Sequence, residues 1–123
     1  MATKTAASKT LAANLIHTVF FWLKNPDQAT DRAAFETAME KLRQTNPQGL
    51  QSHLGCPAAT EARGVVDSSF TYCYVMTFAS VEDEIAYQTD PTHLAFIEEA
   101  SHLWEKVVVY DSKSIDSFYE NNN

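Results

Sequence analysis

Glycine is scarce in this chain, with three residues in 123. None falls in a run able to cradle a phosphate, which excludes a nucleotide-type phosphate loop. Cysteine is scarcer still. Cys56 and Cys73 stand alone, in neither a CxxC nor a metal-ligand spacing, so neither a disulfide framework nor a zinc ribbon is encoded. Positive charge is outnumbered, nine Lys and Arg against sixteen Asp and Glu, for a net charge of −7. That leaves no basic stripe for nucleic acid and disfavours an anionic membrane surface. No apolar run approaches the ~18 residues of a membrane span. Residues 1–14 also lack the apolar stretch of a signal peptide. The expectation is an acidic protein of a reducing, cytoplasmic setting, with no nucleic acid and no membrane among its partners.

What is present is a modest core. The chain is 45% hydrophobic, enough for one domain and small enough for a second copy to help it. Leu15 to Leu23 predicts a strand, with His17, Val19, Phe21 and Leu23 on one face and Ile16, Thr18, Phe20 and Trp22 on the other. A helix is expected from about Thr30 to Thr45, its buried face marked by Phe35, Ala38, Met39 and Leu42. A short strand follows over Leu50 to Leu54, then a polar loop. Phe70 to Phe78 alternates, with Phe70, Tyr72, Tyr74, Met76 and Phe78 facing one way. Cys73, mid-strand, reads as a small buried hydrophobe.

Ser80 and Asp83 form a capping signal for one short helix. Asp90 followed by Pro91 starts a second, with a buried stripe expected at Leu94, Ile97, Ser101 and Trp104. The run Glu82-Asp83-Glu84 reads as a solvated first turn that suits the helix dipole. Lys106 to Asp111 reads as a last strand, apolar on both faces. Residues 1–14 read as a flexible arm, 15–113 as the domain and 114–123 as a polar tail.

The order is β-α-β-β-α-β, with the second helix broken in two. That predicts an α+β, ferredoxin-like antiparallel sheet with helices on one face. Helices cover only that face, yet strands one, three and four are apolar on both. The open face is a candidate interface, and a second identical sheet packed against it would give a homodimer.

Four segments carry a resemblance: Ile16-His17-Thr18-Val19, Thr77-Phe78, Tyr87-Gln88-Thr89-Asp90-Pro91-Thr92-His93-Leu94-Ala95-Phe96, and Trp104-Glu105-Lys106-Val107-Val108-Val109-Tyr110-Asp111. Over about Leu15 to Lys113 the chain resembles the stress-responsive A/B barrel (Dabb) family of dimeric α+β barrels. Some plant members of that family are stress-induced, very stable proteins without a settled chemistry. A few are polyketide cyclases in which a Tyr and a His of this segment do acid–base work. The wider group includes monooxygenases that use no cofactor.

The resemblance therefore implies a fold and a homodimer, with no cofactor and an uncertain biochemical role. It implies a catalytic pair, His93 as base and Tyr87 as its orienting or oxygen-binding partner. It also implies a pocket lined by His17, Val19, Phe21, Phe35, Met39, Tyr74 and Phe96, suited to a small apolar or aromatic ligand. Met39 and Tyr72 stand where a plant cyclase carries other residue types.

From the residues themselves, two readings of Tyr87 and His93 stay open. An imidazole and a phenol in an apolar wall are suited to proton transfer and to binding an oxygen. Equally, His93 can brace the helix break and Tyr87 can be a core aromatic. His53 and His102 read as surface residues. No His, Asp and Glu set has metal-ligand spacing, so no metal site is expected.

Overall fold

A computed structural model describes residues 9–116. The first strand, β1 (Leu15–Leu23), alternates strictly between buried and half-buried positions. It leads into α1 (Ala29–Thr45), which buries Phe35, Ala38, Met39 and Leu42 as the helical spacing predicts. Then come β2 (Ser52–Gly55), β3 (Tyr72–Phe78), α2 (Val81–Thr89) and α3 (Pro91–Ala100). A single 3-10 turn (Ser101–Leu103) leads into β4 (Trp104–Lys113).

The strands form one antiparallel sheet in the order β2-β3-β1-β4. This is the ferredoxin-like arrangement, and the sheet is open, with β2 and β4 as its edges. Directly opposed residues share a face. Tyr74, Val19 and Val109 therefore lie side by side on the helix face, as do Met76, His17 and Asp111. Between Trp22 and Leu23 the register of β1 against β4 shifts, so that Leu23 opposes Trp104. Such a bulge re-aims a side chain, and here it puts Trp104 on the helix face. Its ring lies 5.0 Å from that of Phe21.

The core fills the space between sheet and helices. Phe35 and Met39 are fully buried, and Phe35 stacks on Tyr72 with ring centroids 4.5 Å apart. Among the described residues nothing covers the other face of the sheet. Phe20, Phe70 and Tyr110 cluster there, with Phe20 5.0 Å from Phe70 and 6.2 Å from Tyr110. Lys106 Nζ sits 4.6 Å above the Trp22 ring, and Tyr110 is 63% exposed.

Several expectations need correction. The β2 strand is shifted to Ser52–Gly55, and β4 is longer than Lys106 to Asp111. Phe70 precedes β3 and packs on the uncovered face with Phe20 rather than with Tyr72. The cause lies at Thr71, which is buried and bonded to β1 twice, through its N–H to the Phe21 carbonyl and through Oγ1 from the Leu23 N–H. Cys73 is half-buried on the uncovered face, and burial raises its thiol pKa. In α3 the buried residues are Phe96 and Ala100, while Leu94 is 53% exposed and Ile97 37%. Of the expected arm, residues 1–8 lie outside the described residues. Ala13 is buried, and the Asn14 carbonyl accepts from Ser114. Of the expected tail, residues 117–123 lie outside them too.

Candidate functional site

Two short helices meet at Asp90, and their meeting point builds the site. Ser80 caps α2, its Oγ accepting from the Asp83 N–H. In its last turn α2 buries Tyr87. Asp90 then closes α2 and caps α3, since Pro91 disfavours helix at the residue before it and suits a first helical position. The Asp90 carboxylate accepts from the Thr92 N–H at 2.9 Å, the Thr92 hydroxyl at 2.6 Å and Gln48 Nε2 at 3.0 Å. These bonds, those of Thr92 foremost, hold its pKa below the usual carboxylate value. Asn46 reaches the Thr92 hydroxyl at 2.9 Å. The corner is thus tied to the chain that leaves α1.

His93 follows in the first turn of α3. Its ring lies 4.4 Å from that of Tyr87, and its Nδ1 lies 3.2 Å from the Gln88 carbonyl. A carbonyl only accepts, so Nδ1 must carry the proton. In the neutral ring Nε2 is then the free base. Burial, foremost, lowers the His93 pKa, and the nearby His17 adds to this. Burial likewise raises the pKa values of Tyr87 and Tyr74, which keeps both phenols protonated.

These groups surround a cavity of about 220 Å³, room for roughly seven waters at ~30 Å³ each. His17, Val19, Phe21, Tyr74 and Phe96 line it, together with Tyr87 and His93. Phe35 and Met39 do not line it; they are fully buried in the core. Trp104, Gln88 and Ile97 complete the helix side, and Val107, Val109 and Asp111 the β4 side. Val107 and Val109 are 36% and 47% exposed, because no helix among the described residues covers this edge of the sheet. His53 and His102 are exposed, as expected.

His17 is buried as well, at 4% exposure. Its Nδ1 lies 2.6 Å from Asp111 Oδ1 and 3.9 Å from Glu84 Oε2. Gln88 also donates to Glu84. Glu84 is therefore turned inward, its side chain 13% exposed, rather than solvated as the acidic run suggests. The ligand atoms of His17, Glu84 and Asp111 all lie within 4.8 Å of one another, a grouping assembled from β1, α2 and β4 that sequence spacing did not reveal. The 2.6 Å contact is a hydrogen bond, so a cation would have to displace the Nδ1 proton. Two signals could have found this grouping: Asp111 falls opposite His17 once β1 and β4 are paired, and Glu84 stands one turn before Tyr87.

The relatives agree with the fold. A crystal structure of a Dabb family protein with a ferredoxin-like fold from Mesorhizobium loti superposes with a TM-score of 0.67 at 19% identity, covering 83% of this chain and 97% of that one. A hydroxynitrile lyase from Passiflora edulis gives 0.68 at 25% identity, over 85% and 95%. A dimeric ferredoxin-like protein of unknown function from Thermobifida fusca gives 0.66 at 15% identity, over 90% and 100%. No curated protein sequence matches the chain. The stress responsive A/B barrel domain matches residues 15–114. That match spans β1 to the end of β4 and includes every cavity residue, so the chain belongs to the stress responsive A/B barrel domain family.

Proposed function

We propose that the chain works as a homodimer in which each subunit's cavity binds a small, mainly apolar carbonyl or hydroxy compound and exchanges a proton with it. His93 is the base and Tyr87 the hydrogen-bond donor to the substrate oxygen. One observation carries this reading. The Gln88 carbonyl holds the Nδ1 proton of His93, which leaves Nε2 free on a ring that also lines the cavity and touches Tyr87.

On a ketone, Nε2 takes the proton from the carbon next to the carbonyl. The C–H pair becomes the enolate double bond, and the carbonyl π pair moves onto the oxygen that Tyr87 holds. Return of the proton gives exchange. Ring closure follows instead when that carbon attacks a second carbonyl of the same molecule: the first carbonyl re-forms, the π pair of the second moves onto its own oxygen, and that oxygen takes the proton back from His93. On a hydroxynitrile, Nε2 takes the hydroxyl proton, the O–H pair forms the carbonyl, and the bond to cyanide breaks. The Passiflora edulis relative favours that second substrate. The cavity, at about 220 Å³, lies below the usual range for drug-sized ligands of ~300–1,000 Å³, which favours small compounds over long keto chains.

Dimerisation through the uncovered sheet face is supported by Phe20, Trp22, Phe70 and Tyr110 and by the dimeric Thermobifida fusca relative. A reducing, cytoplasmic setting is supported by the two free thiols, Cys56 and Cys73. The net charge of −7 argues against nucleic acid as a partner.

The test compares wild type with His93→Ala in two assays. One follows deuterium uptake from D2O at the α-carbon of aryl methyl ketones by NMR; the other follows benzaldehyde release from mandelonitrile. Acceleration by wild type and its loss in the variant is expected. If wild type accelerates neither, proton transfer is refuted, and a dimer that binds ligand without turnover is the reading that remains.

A further inference from the structure

Tyr74 carries the exception in an otherwise well-satisfied interior. The residue is 1% exposed, and its hydroxyl is the buried side-chain polar atom without a hydrogen-bond partner among the described residues. A buried hydroxyl left unpaired is costly, and native proteins rarely keep one without a reason. A phenylalanine would fill the same volume without that cost. The strand could also have turned the residue outward, yet Tyr74 sits at the centre of β3, opposite Val19 on one side and Leu54 on the other. Its ring lines the same cavity as His93. It interacts with the Tyr87 phenol but makes no hydrogen bond of normal geometry with it. The Arg43 guanidinium is the positive charge whose field reaches Tyr74.

We infer that Tyr74 and Tyr87 form a two-phenol cradle for one oxygen of the bound molecule, and that Tyr74 is a second catalytic residue, donating to that oxygen as it gains negative charge. This rests on the proton-transfer reading and narrows its substrate. The compound must present a carbonyl or hydroxyl oxygen at the buried end of the cavity, with its acidic hydrogen toward His93 at the junction of α2 and α3. Both phenols keep their protons at neutral pH, so each can donate. A pair of neutral donors fixed before substrate arrives stabilises a developing oxyanion more than a ground-state carbonyl, because they need no reorganisation at the moment charge forms. The Glu84 and Asp111 carboxylates, which would repel such an oxyanion, flank Nδ1 of His17.

The probe is 4-nitrophenol, a ring-sized molecule that ionises near neutral pH and changes colour as it does. Its affinity and its bound ionisation are read by absorbance for wild type, Tyr74→Phe, Tyr87→Phe and His93→Ala, alongside thermal unfolding of each protein without ligand. Wild type is expected to bind the phenolate form preferentially. Tyr74→Phe is expected to weaken that binding roughly tenfold or more, the usual cost of losing a hydrogen bond to a charged group, while leaving the unfolding midpoint unchanged or higher. Equal binding by Tyr74→Phe and wild type overturns the cradle and leaves the His93 reading standing. A lower unfolding midpoint for Tyr74→Phe also overturns it, since the hydroxyl would then be bonded within the free protein. Failure of wild type to bind the phenolate overturns the cradle; ketone exchange that persists in that case keeps proton transfer by His93 separate from it.

Discussion

Replacing His17 with leucine leaves Glu84 and Asp111 facing each other with no hydrogen-bond donor between them. Two losses add. The first is the 2.6 Å bond from Nδ1 to Asp111. A bond to a charged group is worth ~1.5–3 kcal/mol, and the 42% exposure of the Asp111 side chain favours the lower end. The second is repulsion between carboxylate oxygens no more than 4.8 Å apart. Coulomb's law gives ~3.5 kcal/mol at an effective dielectric of ~20 and ~0.9 kcal/mol in water; partial exposure places this pair at about 1–2. Burying leucine in place of imidazole offsets about 1 kcal/mol. The expected net cost is roughly 2–3 kcal/mol, or a fall in Tm of about 8–12 °C for a domain of this size. Calorimetry at fixed protein concentration measures it, because the midpoint of the proposed dimer would move with concentration. The decisive comparison is Asp111→Asn, which should destabilise the wild type yet stabilise the His17→Leu protein by about 1–2 kcal/mol. The same sign in both backgrounds would mean that the two carboxylates do not feel each other.

Four further outcomes are expected. Since burial lowers the folded pKa of His93 below its ordinary 6.5, the unfolded chain takes up the proton first on acidification. The His93 contribution to stability is full above pH 6.5 and is lost as pH falls through the lower folded value; His93→Gln should flatten that part of the stability curve. For the same reason proton exchange should hold at neutral pH and decline only below the ordinary histidine range, and a decline beginning above pH 7 would assign the base elsewhere. Phe96→Ala should cost ~3–5 kcal/mol while Leu94→Gln stays within about 0.5 kcal/mol, with denaturant melts reporting both; similar costs would contradict the orientation of α3. Tyr110→Asp, at a position 63% exposed on the uncovered face, should shift the protein toward monomer in sedimentation while leaving the subunit's circular dichroism intact.

Much of this was legible in the sequence because burial imposes a period. In β3 burial alternates from Tyr72 to Met76, and β1 alternates over its whole length. The Asp90-Pro91 corner was legible because each residue has one good use there. The orientation of α3 was not, since Leu94, Ala95, Phe96 and Ile97 are apolar in a row and no single face is marked. Packing against Phe21 and Trp104 selects Phe96. Phe35 and Met39 carry the right residue types for a pocket wall, but α1 lies flush on the sheet and leaves them no space. Trp104 reaches the cavity only through a bulge, which depends on the pairing partner. Glu84 looked solvated because two acidic neighbours disguised it. The His17, Tyr87 and His93 grouping could be read because all three lie at element positions whose facing is predictable.

The strand β4 presents its odd positions, Val107, Val109 and Asp111, to the cavity, and its even positions, Val108 and Tyr110, to the uncovered face. On the proposed function, drift at odd numbers would change which molecules enter without disturbing self-association, and drift at even numbers would retune partner choice without altering chemistry. Two selectable traits are thereby interleaved along one ribbon yet inherited almost independently. A lineage built on this scaffold is free to diversify its substrates while keeping its assembly, and an engineer can treat the two number series as separate libraries.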